Sequence, residues 1–300
     1  MTEPQEKRLA RDRATLFVTG NVQAAAIAQV LQNLPPVVER FTVEQFDSSE
    51  DLPKSAPQGS LWLEQIDANE TLSGTLPMGV TKRVSFPSLE LHLLWPFNSV
   101  NPSNKPAPPD FPFGRFPYGD SFIQSCIAQG VSRSDILRVY LSNAWSPTWP
   151  DLDRLFRKES ERLSALDSTF KLGIGGYILK HFRLERLFLT PQSPTDLLLA
   201  ELTTRLLAVA FPGDSSMASA NAPGVISSLG PRDCLGLLAI PIHPLVARHF
   251  QLTWITPNSR FNYFNRAQLT DREYYGRFLD DALGDGAGHG GTPERIVSGK

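Results

Sequence analysis

Four consecutive residues have the types and the spacing for chemistry: Gly20-Asn21-Val22-Gln23. An apolar run, Leu16-Phe17-Val18, leads into them, and an alanine-rich segment with helical spacing follows over residues 22–34. Together they predict a buried strand, a tight turn and a helix. Such a turn aims backbone N–H groups and the positive end of a helix dipole at one spot. In an open parallel sheet that spot lies beyond the carboxyl ends of the strands, where ligands bind. Gly20 and Asn21 are therefore candidates for an anion or oxyanion site, with the Asn21 amide as a further donor. Gln23, in the first helical turn, reaches the same place. The plainer alternative is a strand–helix turn built from two turn-prone residues.

Two further residues offer proton chemistry. Asp120 closes Tyr118-Gly119-Asp120 just before a predicted helix. It is either a helix cap, favoured by the dipole, or a base for a hydroxyl group. His243 stands before Pro244 at a second helix start, and is either a base or a structural histidine. His92, His181 and His249 have no Cys, Asp or Glu at metal-ligand spacing, so no metal site is expected. There is no G-x-S-x-G elbow, no Walker A loop and no G-x-G-x-x-G. The cluster Gly173-x-Gly175-Gly176 lacks a preceding strand, which makes it a poor phosphate loop.

The elements that must position these groups can be read from pattern. Strands are expected at 37–43, 61–66 and 83–86, with a polar loop at 47–59. Strand, helix, strand, loop, strand predicts an α/β sheet. Residues 96–118 hold seven prolines among aromatics. That excludes helix and central strand, and predicts an ordered loop that either is clamped by its aromatics or walls a cleft. Trp95-Pro96-Phe97 is expected in the core. Helices are expected at 119–129, at 132–142 from a Ser132/Asp135 capping pair, and at 151–168. A strand at 184–190 should precede a helix capped by Ser193, with Pro194 in its first position. Residues 212–233 read as loop, and a short helix starts at Pro244.

Composition bounds the class. Of 300 residues, 41% are hydrophobic and 20% charged, which fits a globular chain with a sizeable core. A net charge of −2 gives no basic field for nucleic acid. Two cysteines cannot form a disulfide framework, so a reducing compartment is expected. The charged N-terminus has no apolar signal core, and no apolar run approaches the ~18–20 residues of a membrane span. A cytoplasmic location follows as the expectation. Three regions are expected: a charged extension at 1–13, one α/β domain at 14–282, and a glycine-rich tail at 283–300.

Gly-Asn-x-Gln after the first strand, Leu94-Trp95-Pro96-Phe97, Phe116-Pro117-Tyr118-Gly119-Asp120, and Arg186-Leu187-Phe188-Leu189-Thr190 before an amphipathic helix occur in this order. The ordered set resembles the WcbI-like family, which is assigned to acetyl transfer in bacterial capsular polysaccharide biosynthesis. The resemblance covers residues 15–250. It implies a three-layer α/β fold, an open, mostly parallel sheet flanked by helices in the SGNH or flavodoxin manner, with helical additions in the second half. It also implies coenzyme A or acetyl-CoA as a substrate, O-acetylation of a sugar or polysaccharide acceptor, and other polysaccharide-biosynthesis proteins as partners. On that reading Gly20, Asn21, Gln23, Arg115 and Tyr118 bind the acyl donor, Lys82-Arg83 are further phosphate candidates, and Asp120 and His243 are the catalytic residues. The chain departs from the family's pattern twice. Val22 stands where the motif has Cys, and Ser193 where a His precedes the proline. Valine has no lone pair, which excludes covalent catalysis at position 22. Two functions stay open: a direct acetyltransferase, and a module that keeps the binding site without the chemistry. An SGNH-type esterase lacks its serine.

Overall fold

The computed structural model describes residues 13–67, 75–104, 111, 113–142, 149–229 and 236–284. Its centre is a parallel sheet of four strands: β1 (Ala14–Thr19), β2 (Phe41–Phe46), β3 (Ser55–Ile66) and β4 (Met78–Pro87), in the order β2-β1-β3-β4. β1 is therefore internal, with Thr19 opposite both Phe46 and Glu64 at its carboxyl end. Period-2 alternation splits its side chains between two faces. Leu16 and Val18 join the main core, while Phe17 joins a smaller cluster with Trp62 and Val80. On the main face lies α1 (Val22–Leu31), whose Ala24, Ile27, Ala28 and Leu31 are buried against the sheet.

The second strand starts later than its β-branched residues suggest. Pro35–Val38 form a helical turn, α2. Two prolines preset its φ and give up donors that a first turn leaves unused. The polar loop after β2 is also shorter than expected, because β3 begins at Ser55.

The second half is helical, as expected: α3 (Ser121–Ala128), α4 (Arg133–Tyr140), α5 (Leu152–Phe170) and α6 (Ile174–His181). Ser132 caps α4 through the Asp135 N–H at 3.2 Å, and Asp151 caps α5. The Gly175 and Gly176 N–H groups are taken by the Asp167 carboxylate at 2.8 and 2.7 Å, which removes this glycine cluster as a phosphate site. Trp95 and Phe97 are buried, as expected.

The proline-rich segment is tied at its base by the antiparallel strands β5 (Asn98–Val100) and β6 (Tyr118–Asp120). Residues 105–110 and 112 lie outside the described residues. A second short hairpin, β7 (Phe188–Thr190) with β8 (Ser193–Pro194), precedes α7 (Asp196–Ala210). Ser193 is thus not the cap of α7. It pairs with Thr190, and the helix starts two residues later, after Thr195. α7 packs on both α1 and β4. The segment read as loop at 212–233 contains α8 (Ser215–Ala218) and α9 (Ala222–Ser228). The chain continues through α10 (Pro244–His249), the hairpin β9 (Phe261–Tyr263) and β10 (Ala267–Leu269), and α11 (Asp271–Ala282), which opens with a full Thr270/Glu273 capping box. The extension at 1–12 and the tail from 285 lie outside the described residues.

Candidate functional site

The turn after β1 requires glycine at position 20. Its φ is +141°, and a Cβ there would sit 2.4 Å from the Gln65 Cβ. Its N–H donates to the Phe46 carbonyl at 3.1 Å. The Asn21 N–H donates to the Gln65 side chain at 2.9 Å. The Asn21 side chain caps α1 by accepting the Gln23 N–H at 2.8 Å, and its amide donates to the Ser88 hydroxyl at 3.2 Å. Three of the N–H groups that could meet an anion are therefore used inside the protein. The Val22 N–H is without a partner among the described residues.

Gln23 is not a surface donor. It is buried, donates to the Leu89 and Gln192 carbonyls at 2.9 and 3.0 Å, and accepts the Leu89 N–H at 2.8 Å. One side chain thus staples the motif turn to the 88–90 segment and to the β7–β8 hairpin.

These three segments frame a cleft of about 450 Å³. Val22, 45% exposed, lies on it. Ser193, Ser88 and Glu90 line it too, and Phe113, Pro117 and Tyr118 bring the proline-rich loop to it as a wall. The Tyr118 hydroxyl is hydrogen-bonded to the Thr190 hydroxyl at 3.1 Å across that wall. Both positions at which the chain departs from the family's pattern thus face one cavity beside the carboxyl end of β1. Arg115 is exposed on the same loop, its guanidinium 5.8 Å from the Phe111 ring, and does not line the cleft. Lys82 and Arg83 are elsewhere. Lys82 donates to the last carbonyls of α7, and Arg83 pairs with Glu64 over the Trp62 ring.

Asp120 and His243 come together, but apart from the cleft. They line a separate cavity of about 30 Å³, room for a single water. Tyr118 borders both cavities. Asp120 is the cap of α3, accepting the Ile123 N–H at 2.9 Å, and its second oxygen accepts the Tyr140 hydroxyl. Burial raises its pKa to about 6, against those hydrogen bonds. His243 caps α10. Its Nδ1 accepts the Leu245 N–H at 3.1 Å, so Nε2 carries the hydrogen and donates to the Tyr140 carbonyl. Burial lowers its pKa to about 4, which keeps it neutral. Both side chains serve the helix starts that the sequence signals, with Tyr140 between them.

Sequence reasoning passed over Glu90, and weighed His92 only as a metal ligand, without its partner. His92 Nε2 is 3.1 Å from the Glu90 carboxylate, and the Arg162 guanidinium is 3.5 Å from it. The hydrogen bond from His92 holds the Glu90 pKa below its ordinary value, and the same bond raises that of His92. The Glu-x-His spacing was the available signal. No group of three or more metal-ligating side chains occurs among the described residues, and no described helix is long and apolar enough to cross a membrane.

The family model for the polysaccharide biosynthesis enzyme WcbI matches residues 15–210. A solved structure of WcbI, a polysaccharide biosynthesis enzyme described as the native protein without a disulfide bond between coenzyme A and one of its cysteines, shares the fold. The TM-score is 0.63 at 17% identity, over 90% of each chain. No curated protein matches the chain. The matched span contains the motif turn, the Glu90 segment, the proline-rich wall and the Ser193 hairpin, and covers well over half the sequence, so the chain belongs to the WcbI family of polysaccharide biosynthesis enzymes.

Proposed function

We propose that the chain is a coenzyme A-dependent O-acetyltransferase of surface-polysaccharide biosynthesis, and that the cleft beside the motif turn is where acetyl-CoA meets a sugar hydroxyl. One observation carries this reading: positions 22 and 193 line the same cleft, next to the turn. Its volume of about 450 Å³ falls among small-molecule sites, which span roughly 300–1,000 Å³. No lysine, arginine or histidine lines it among the described residues. It therefore suits the uncharged acyl and pantetheine end of the donor, and leaves the phosphates outside, within reach of a cation such as Arg115.

Val22 supplies neither nucleophile nor proton, so transfer is direct from thioester to hydroxyl. At the turn itself, the Val22 N–H and the second hydrogen of the Asn21 amide are the donors left for the thioester carbonyl. Gly20 shapes the turn, Gln23 holds the cleft together, and Tyr118 closes it. Asp120 and His243, each bonded on both sides, hold that wall in place from behind. Holding donor and acceptor together supplies on the order of 7–11 kcal/mol in favourable cases. Calorimetry with coenzyme A and acetyl-CoA, followed by a transfer assay with oligosaccharide acceptors, tests the reading. Binding and acetyl transfer above background are expected. Failure to bind either compound refutes it. Binding without transfer favours the second reading, a module that retains the site without the chemistry, which the replacement of Cys and His by Val22 and Ser193 supports.

A further inference from the structure

We propose that Glu90 is the group that takes the proton from the acceptor hydroxyl, and that the acceptor carries no carboxylate or phosphate beside that hydroxyl. This rests on the acyl-transfer reading above.

Among the described residues that line the cleft, Glu90 has the single carboxylate. It is fixed from three directions. Its carbonyl accepts from Arg162 at 2.7 Å, and its carboxylate meets His92 at 3.1 Å and Arg162 at 3.5 Å. Arg162 is itself held by Glu159 at 2.7 Å. The two residues before Glu90 are bonded to the motif turn: Leu89 through Gln23, and Ser88 through Asn21. The carboxylate is thus tied to the same turn that carries Val22, yet its side chain is still 36% exposed, which leaves room for a second partner. Ionised, it is acceptor-only, so a hydroxyl is the natural partner.

The step balances without a further reagent. The acceptor oxygen attacks the thioester carbonyl carbon, and its proton passes to Glu90. The C–O bond forms, the C–S bond breaks, and the departing thiolate recovers the proton from Glu90 as coenzyme A. His92 and Arg162 are positioning residues. They keep the carboxylate ionised and aimed, consistent with its lowered pKa. No cation on the described lining can receive an acidic group on the acceptor, and the Glu90 carboxylate, already paired with His92 and Arg162, offers such a group only another hydrogen-bond acceptor. The chemistry fits a neutral or amino sugar rather than a uronic acid.

The test uses the full chain, acetyl-CoA, and paired panels of neutral and uronic-acid oligosaccharides. Glu90→Gln should lower kcat by about 10²–10⁴-fold while leaving the dissociation constant for coenzyme A unchanged. Glu90→Asp, which keeps the charge one methylene back, should fall between, and serves if the glutamine variant fails to fold. The wild-type chain should prefer the neutral panel. If the folded variants turn over like wild type, or uronic acceptors are preferred, the role of Glu90 falls and the acetyltransferase reading stands. If the wild-type chain transfers to no acceptor, both fall together.

Discussion

Replacing Asp120 by asparagine exposes a proton exchange that the wild-type fold conceals. Burial lifts the Asp120 pKa from 3.8 to about 6, so the folded chain holds that proton more tightly than the unfolded chain does. The associated stability is full below the unfolded value and is lost as pH rises through the folded one. Burial moves His243 the other way, from 6.5 to about 4. Its stability is present above the unfolded value and is lost as pH falls through the folded one. Each shift corresponds to roughly 3 kcal/mol. The two act across nearly the same window, between about pH 4 and 6.5, with opposite sign, so they largely cancel. Asp120→Asn removes one side of the balance. Asparagine remains a good helix cap, so the absolute loss at neutral pH is small. Relative to wild type, the variant should gain about 3 kcal/mol in unfolding free energy as pH rises across that window. His243→Asn should lose a similar amount. Urea unfolding of the three proteins at a series of pH values measures this. Taking differences from wild type removes the carboxylates common to all. Parallel curves for wild type and Asp120→Asn, or shifts of the same sign in both variants, refute the assigned burial of these two groups.

Other predictions concern the frame of the cleft. Gln23→Ala strands both main-chain groups of Leu89 and the Gln192 carbonyl. At about 1–3 kcal/mol for each buried group left unpaired, and with water able to reach Gln192, the loss should be about 3 kcal/mol, or roughly 6–12 °C in Tm. A loss below about 1 kcal/mol in thermal melts contradicts the staple. Gly20→Ala places a Cβ 2.4 Å from the Gln65 Cβ at a φ of +141°. It should cost about 1–3 kcal/mol and weaken coenzyme A binding by calorimetry, whereas unchanged affinity separates the turn from the site. Arg186 is the reverse case. Its Nε and one Nη are buried without a hydrogen-bond partner, and burial lowers its pKa to about 10, although the Phe261 and Trp254 rings lie 5.2 and 5.8 Å away. Arg186→Met should raise stability by about 1 kcal/mol, and a clear fall in denaturation experiments means that the ring contacts outweigh the burial.

Features written in short stretches of sequence were legible. The strand–Gly-Asn–helix turn, the caps at Ser132 and Asp120, and the proline at the start of α10 are each decided within four residues. The proline-rich segment was legible as neither helix nor central strand, because its prolines fix φ and remove donors, while its role as a wall was one of two readings that the sequence allowed. The misplaced second strand and the misread Ser193 share a cause. Val37 and Val38 have strand propensity, and Ser-Pro is a good helix opening, but the double proline in one case and pairing with Thr190 in the other decided the outcome. The polar framework of the cleft was illegible for another reason. Gln23 meets partners 66 and 169 residues away, and the Glu90 carbonyl meets Arg162 at a separation of 72. No local pattern encodes such pairs. Residues 88–92 lie outside any helix or strand, so periodicity could not point to Glu90 or His92 either.

If the chain carries out the proposed acyl transfer, Val22 fixes the order of events. A cysteine at that position, with a histidine at 193, can take the acyl group from the donor and hold it after coenzyme A leaves. Val22 and Ser193 face the same cleft, and the first has no atom to which an acyl group can attach. A serine hydroxyl at 193 lacks a base: the ionisable side chains on the described lining are Glu90 and Tyr118, and the Tyr118 hydroxyl is paired with Thr190. On the acyl-transfer function proposed above, donor and acceptor then occupy the cleft together. The kinetic consequence is a ternary complex, with initial-rate lines that intersect when both substrates are varied. No radiolabelled acetyl group should remain on the protein after incubation with acetyl-CoA alone. Parallel lines, or an acetylated chain recovered without acceptor, would place a nucleophile on this protein and refute direct transfer. Val22→Cys with Ser193→His should move the kinetics toward that parallel pattern, because it returns a thiol and a base to two positions that already share the cavity.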